Sequence, residues 1–160
     1  MKYKIKELEI EDALFTFDKI PFQGNTILHV KYKHDTLEFQ SPKMCVGSVI
    51  KENNKEYFLL RLASTKAHQI FCSKVYDIEK VFSRKFGNIR SAIDTENVIV
   101  KIPCKNGNPL VKVYKENKLF NYYHITQGME IMCLIGINKL WMNSNKEVYY
   151  NLIVKEINVM

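Results

Sequence analysis

The residue types that make and break bonds are sparse in this sequence, and their spacing does not suit catalysis. Cys45, Cys72, Cys104 and Cys133 fall at irregular intervals with no Cys-x-x-Cys pair, so neither a zinc ribbon nor a dithiol redox centre is spelled out. The four read as buried, reduced thiols. His29, His34, His68 and His124 show no helical pair that would hold a metal, and no metal site is expected. The six glycines are scattered and none precedes Lys-Ser or Lys-Thr, so a phosphate-cradling loop is missing, as are Gly-x-Ser-x-Gly and His-Glu-x-x-His. Glu11-Asp12 is a carboxylate pair, but a capped helix start places acids there too. The expectation is a protein that binds rather than catalyses, with no cofactor.

What remains is non-covalent chemistry. Aromatic residues interleave with lysines in Lys31-Tyr32-Lys33, Lys112-Val113-Tyr114-Lys115 and Lys118-Leu119-Phe120-Asn121-Tyr122-Tyr123-His124. A nucleobase stacks on an aromatic face for roughly 1–3 kcal/mol while nearby cations neutralise phosphates, so a groove for a single strand needs this mixture. The same pattern suits strands whose aromatics are core and whose lysines are the wet face. Trp141, between Leu140 and Met142, is either a core plug near a hairpin end or a stacking platform. Tyr149 and Tyr150 are consecutive and point to opposite faces of a strand. Tyr150 continues with Leu152 and Val154, which leaves Tyr149 facing the ligand. The expected contacts are Lys31, Lys33, Lys43, Arg61, Lys101, Lys112, Tyr114, Lys118, Tyr122, Trp141 and Tyr149. Lys112 and Tyr114 share one strand face, and Val111 and Val113 share the other.

Charge agrees with a polyanionic partner. The net charge is +7, yet residues 1–40 carry six Lys against seven Asp plus Glu, so the other 120 residues carry +8 and must build any basic face. A chain of 160 residues suits one domain, 1–160. Its longest apolar run, Met129 to Ile137, contains Glu130 and meets Lys139, which excludes a helical membrane span. The N-terminal Met1-Lys2-Tyr3-Lys4-Ile5-Lys6-Glu7 runs into acids rather than an apolar signal region, so an intracellular location is expected.

The elements that must position these residues are mainly strands. Residues 26–33 and 36–40 alternate about a break at His34-Asp35 and read as a hairpin, and residues 45–50 and 56–63 read as another. Ile70, Phe71, Val75, Ile78, Val81 and Phe82 take helical spacing, with Gly87 as the stop. Residues 97–102 and 110–115 read as a hairpin about the turn 105–109, and strands at 129–137 and 147–159 close the chain. About eight strands and one main helix result. Residues 1–25 read as an arm or a short helix, with Pro21 and Gly24 arguing for a loop.

From Phe39 to Val159 the order of elements resembles the single-stranded DNA-binding proteins of nucleocytoplasmic large DNA viruses, the poxvirus and African swine fever virus group. Phage single-stranded DNA-binding proteins are a more distant likeness. The resemblance is carried by Ser41-Pro42-Lys43-Met44, by Tyr57-Phe58-Leu59-Leu60-Arg61-Leu62 and by a helix after it at Phe71 to Phe82. Val100-Lys101-Ile102-Pro103 and the stretch from Gly128 through Leu140-Trp141-Met142 to Val148-Tyr149-Tyr150 complete it. Asn143-Ser144-Asn145-Lys146 stands where the family has a glycine-containing turn. The likeness implies an OB-like antiparallel β-barrel that binds single-stranded DNA with little sequence preference, in replication, repair or recombination, within the host cytoplasm or nucleus. RNA as ligand and a homo-oligomer are left open. The alternative is a protein-interaction or assembly domain of viral or phage type, with an exposed strand edge recruiting the partner.

Overall fold

Turn chemistry and the alternation of apolar side chains divide the chain into fifteen strands and one long helix, seen in a computed structural model that describes residues 2–160. The strands are β1 (Lys2–Lys4), β2 (Phe15–Phe22), β3 (Asn25–Tyr32), β4 (Leu37–Gln40), β5 (Met44–Glu52), β6 (Lys55–Arg61), β7 (Asn97–Ile102), β8 (Cys104–Lys105), β9 (Asn108–Pro109), β10 (Lys112–Lys115), β11 (Lys118–Leu119), β12 (Glu130–Ile137), β13 (Lys139–Met142), β14 (Val148–Tyr150) and β15 (Leu152–Val159). The β5–β6 hairpin turns on Asn53-Asn54, whose φ of 49° and 62° suit a residue that tolerates left-handed backbone. The helix, α1 (Lys66–Phe86), starts where the Thr65 hydroxyl accepts the His68 N–H at 3.2 Å. It ends at Gly87, whose φ of 95° most side chains would resist. Among the described residues no helix is long and apolar enough to cross a membrane.

Five strands close on themselves in the order β12-β5-β6-β7-β15, with β12 and β15 pairing to shut an OB-like barrel. Every neighbouring pair is antiparallel except β7–β15. Met44, Val46, Phe58, Leu60, Val98, Val100, Ile135 and Val154 fill its interior and are essentially inaccessible to water. On the outer edge of β12 lies β4, followed by β1, and β10 and β11 continue from the far end of β15.

A second, four-stranded antiparallel sheet runs β14-β13-β3-β2. It grows out of the barrel: only Asn138 separates β12 from β13, and only Asn151 separates β14 from β15. One face carries the buried Leu28, Val30, Leu140 and Tyr150. Against it α1 inserts Phe82, whose ring lies 5.8–5.9 Å from those of Phe15, Phe17 and Tyr150. The other face is open.

Several expectations are corrected by this topology. Residues 26–33 and 36–40 do not form a hairpin: the Lys33-His34 turn closes a single Tyr32–Asp35 bridge, after which β3 joins the second sheet and β4 joins β12. Residues 97–102 and 110–115 do not pair either. Pro103 ends β7, a small β8–β9 hairpin follows, and β10 docks in parallel on β15. The first 25 residues hold β1, two short 3-10 turns and β2, and β2 runs through Pro21 where a loop was expected. An edge strand tolerates that proline because its missing N–H interrupts no ladder. The count of eight strands missed the short ones and the break at Asn151.

Glu79 is the buried charge on which the helix–sheet junction depends. Its carboxylate accepts from Ser91 Oγ at 2.7 Å, from the Ala92 N–H at 3.0 Å and from the Tyr150 hydroxyl. Burial pushes the Tyr150 phenol well above its ordinary range, with the Glu79 charge adding to the effect, so Tyr150 stays a donor. Glu79→Ala should lower the unfolding free energy by about 2–4 kcal/mol because three donors lose their acceptor, and Tyr150→Phe by about 1–2 kcal/mol, both read from urea denaturation.

Candidate nucleic-acid interface

Period-two alternation in β6 sends Lys55, Tyr57, Leu59 and Arg61 outward while Glu56, Phe58 and Leu60 turn inward. Register extends this outer face sideways: Tyr57 lies between Ile50 of β5 and Lys101 of β7, Leu59 between Ser48 and Ile99, and Arg61 opposite Asn97. Ile50, Tyr57 and Leu59 are half-buried and Ile99 is 36% exposed, so the centre is apolar and open enough to be touched. Cations stand at both ends.

At one end Lys55 and Lys101 share the outer face on neighbouring strands, and Lys139 is near enough to act on Lys101 electrostatically. Burial holds the Lys101 ammonium below the ordinary lysine range, and repulsion from Lys55 and Lys139 adds to the depression. None of the three forms an ion pair among the described residues. At the other end Arg61 lies flat over the β5 bulge at Gly47, where a Cβ would stand 3.0 Å from Arg61 Cγ and 3.1 Å from the Leu59 carbonyl. Gly47, Ser48, Arg61, Asn97 and Gln127 line part of a groove of about 510 Å³ there. A similar arrangement occurs on β12, where a Cβ on Gly136 would lie 2.8 Å from Lys155 Cε.

Lys139 links the barrel to the second sheet. It begins β13 next to the Asn138 bend, and its ammonium lies 5.3 Å from the centre of the Trp141 ring. Trp141 is half-buried on the open face, opposite Tyr149 on one side and Ile27 on the other. Tyr150 is buried and Tyr149 half-exposed, as strand parity requires. The Tyr149 hydroxyl donates to Glu147 at 2.9 Å, which raises the phenol pKa and helps to lower that of the carboxyl. Lys31 is exposed on the same open face, two residues beyond His29, which pairs with Lys139.

The remaining expected contacts lie elsewhere. Lys112 and Tyr114 do share a face and Val113 is buried behind them, but β10 pairs with the far half of β15, where Lys112 opposes Glu156 and Tyr114 opposes Asn158. Lys118 is exposed on β11 beside that strand. Lys33 sits in the turn after β3, its ammonium 5.8 and 5.4 Å from the Tyr3 and Tyr32 rings. Lys43 is exposed before β5, and its carbonyl meets His68 Nε2 at 2.7 Å. Tyr122 is half-buried: its ring stacks on Phe58 at 5.9 Å and its hydroxyl donates to Glu56, so one face and the hydroxyl are already engaged at the barrel.

Sequence reasoning missed Lys55, Tyr57 and Lys139. Lys55, Tyr57 and Arg61 fall at even spacing in one strand, a signal already present in Lys55-Glu56-Tyr57-Phe58-Leu59-Leu60-Arg61. Lys139 was hidden because residues 139–142 were not read as a strand.

No protein-family model matches the chain, and no curated protein matches it. The lysine cluster makes its own prediction about stability. A depressed ammonium pKa means that, below the ordinary value of 10.5 and above the folded-state value, the unfolded chain binds more protons, so stability rises with pH across that interval. Lys101→Met removes the repelled charge, and its melting temperature at low salt should equal or exceed that of the parent, with the difference shrinking as salt is added.

Proposed function

We propose that the chain is a sequence-tolerant single-stranded DNA-binding protein, acting in replication, repair or recombination of a virus-like genome. The observation that carries this reading is the group of Lys55, Lys101 and Lys139, which form no ion pair among the described residues although Glu52 opposes Lys55 across the hairpin, beside the half-exposed Tyr57 and the apolar Ile50, Leu59 and Ile99. Mutual repulsion makes such a cluster unfavourable when empty, and a phosphate backbone relieves it. The apolar centre suits bases stripped of their pairing partners, because a ring or an aliphatic surface meets the face of any base alike. Position supports the reading as well: the residues lie on the first three strands of the barrel, Lys55 directly after the turn joining the first two, and Lys139 at the start of the long connection between the last two. These are the places where OB-like barrels hold oligonucleotides.

The mechanism is electrostatic capture followed by stacking. Lysines and Arg61 draw in the backbone and release its counterions, and Tyr57 with its aliphatic neighbours takes the bases. Chemistry has no part in it.

Fluorescence titration with oligo(dT), oligo(rU) and duplex of equal length tests the reading, with single strands expected to bind more tightly than duplex. Lys101→Ala should weaken binding to every sequence and reduce the magnitude of the logarithmic salt slope by roughly 0.7, the value for one phosphate contact on a single strand. Tighter binding to duplex, or a salt slope that ignores Lys101, would overturn it.

A further inference from the structure

The open face of the second sheet presents an apolar row across all four of its strands. Tyr149, Trp141, Ile27 and Ile20 stand in register on β14, β13, β3 and β2, and Phe22 lies two residues further along β2. With strands about 4.8 Å apart the row spans roughly 14 Å. Ile20 and Phe22 are 44% and 52% exposed. These exposures do not come from a frayed end, since β2 pairs with β3 at eight consecutive positions and turns tightly through Gln23-Gly24. The opposite face of the same strands buries Leu28, Val30 and Leu140 completely, so alternation has placed large apolar side chains on both faces of a sheet with only one covered.

We infer that this row is a second segment of the strand-binding track, in which the N-terminal hairpin β2–β3 joins Trp141 and Tyr149 to hold bases beyond the barrel. The inference rests on the function proposed above. Continuity is its main support: Lys139 belongs to the lysine cluster on the barrel and lies over the Trp141 ring that begins the row. A strand leaving Lys101 therefore meets the row without crossing an uncharged gap. The charges on this face are Lys139 and Lys31 towards the barrel side, Asp18 opposite His29, and Glu147 and Arg90 near Tyr149 at the far end. They nearly cancel, so the segment holds bases by stacking and apolar contact rather than by phosphate neutralisation.

An oligo(dT) ladder from about 4 to 16 nucleotides, the range of site sizes for one OB fold, tests this. In the parent, affinity should climb and level off at a longer oligonucleotide than in Trp141→Ala or in the double variant Ile20→Ser/Phe22→Ser. Trp141→Ala should lose about 5- to 150-fold on the longest oligonucleotide and little on the shortest, with an unchanged salt slope. The double variant changes only exposed side chains, so it keeps the test valid should Trp141→Ala fold poorly. Identical length profiles in parent and double variant, with Lys101→Ala still weakening binding, would overturn the inference and leave the proposed function standing. A parent dimer dispersed by Ile20→Ser/Phe22→Ser with no change in length profile would assign the row to a second copy instead. Failure of the parent to bind any single strand would overturn both readings.

Discussion

The antiparallel pairing of β12 with β15 is the constraint on which the molecule depends. It closes the barrel, and because both strands continue past the barrel rim it also founds the second sheet. The two bends are single residues, Asn138 and Asn151. At the first, the backbone carbonyl of Asn138 accepts the Val30 N–H at 2.9 Å, so the N-terminal hairpin is registered on the chain at the point where it turns. Lys139 follows directly and shares the open face with Trp141, over whose ring its ammonium lies. A shift of one residue in β13 would send Trp141 inward and Leu140 outward.

A sheet that projects from a barrel needs support underneath, and α1 provides it. The insertion of this helix between β6 and β7 lets one apolar face serve two layers, with Phe71 against Phe39 at 6.3 Å on the barrel side and Phe82 among Phe15, Phe17 and Tyr150 on the other. The hydrogen bonds of Glu79 fix the helix lengthwise against the 91–92 loop and β14. Polar and apolar contacts thus act in different directions. Packing sets the distance of the helix from the sheet, and the carboxylate sets its position along it.

Local signals in the sequence were reliable and distant ones were not. The helix, its glycine stop, the β5–β6 hairpin and the parity of Tyr149 and Tyr150 all follow from spacing within about twenty residues. The β3–β4 and β7–β10 hairpins were misread because proximity in sequence was taken for pairing, whereas β4 finds β12 almost a hundred residues away and β10 joins β15 in parallel, which no short turn can specify. The candidate site was legible in part. Arg61, Lys101 and Trp141 stood out by type, but Lys55 and Lys139 matter only through their common approach to Lys101. Tyr122 shows the converse: an aromatic among lysines looks wholly available until its stacking partner Phe58 is known.

Gly47 and Gly136 bear on where two cationic side chains can rest. Each lets a long cationic side chain, Arg61 or Lys155, lie flat along the barrel wall where a methyl group would lift it away. Such side chains have up to about 2 kcal/mol of rotational freedom to lose, and a contact formed by a freely moving one must overcome that loss when it forms. Both side chains remain exposed, so each glycine fixes where the aliphatic stem rests against the wall and leaves the charged head to the solvent.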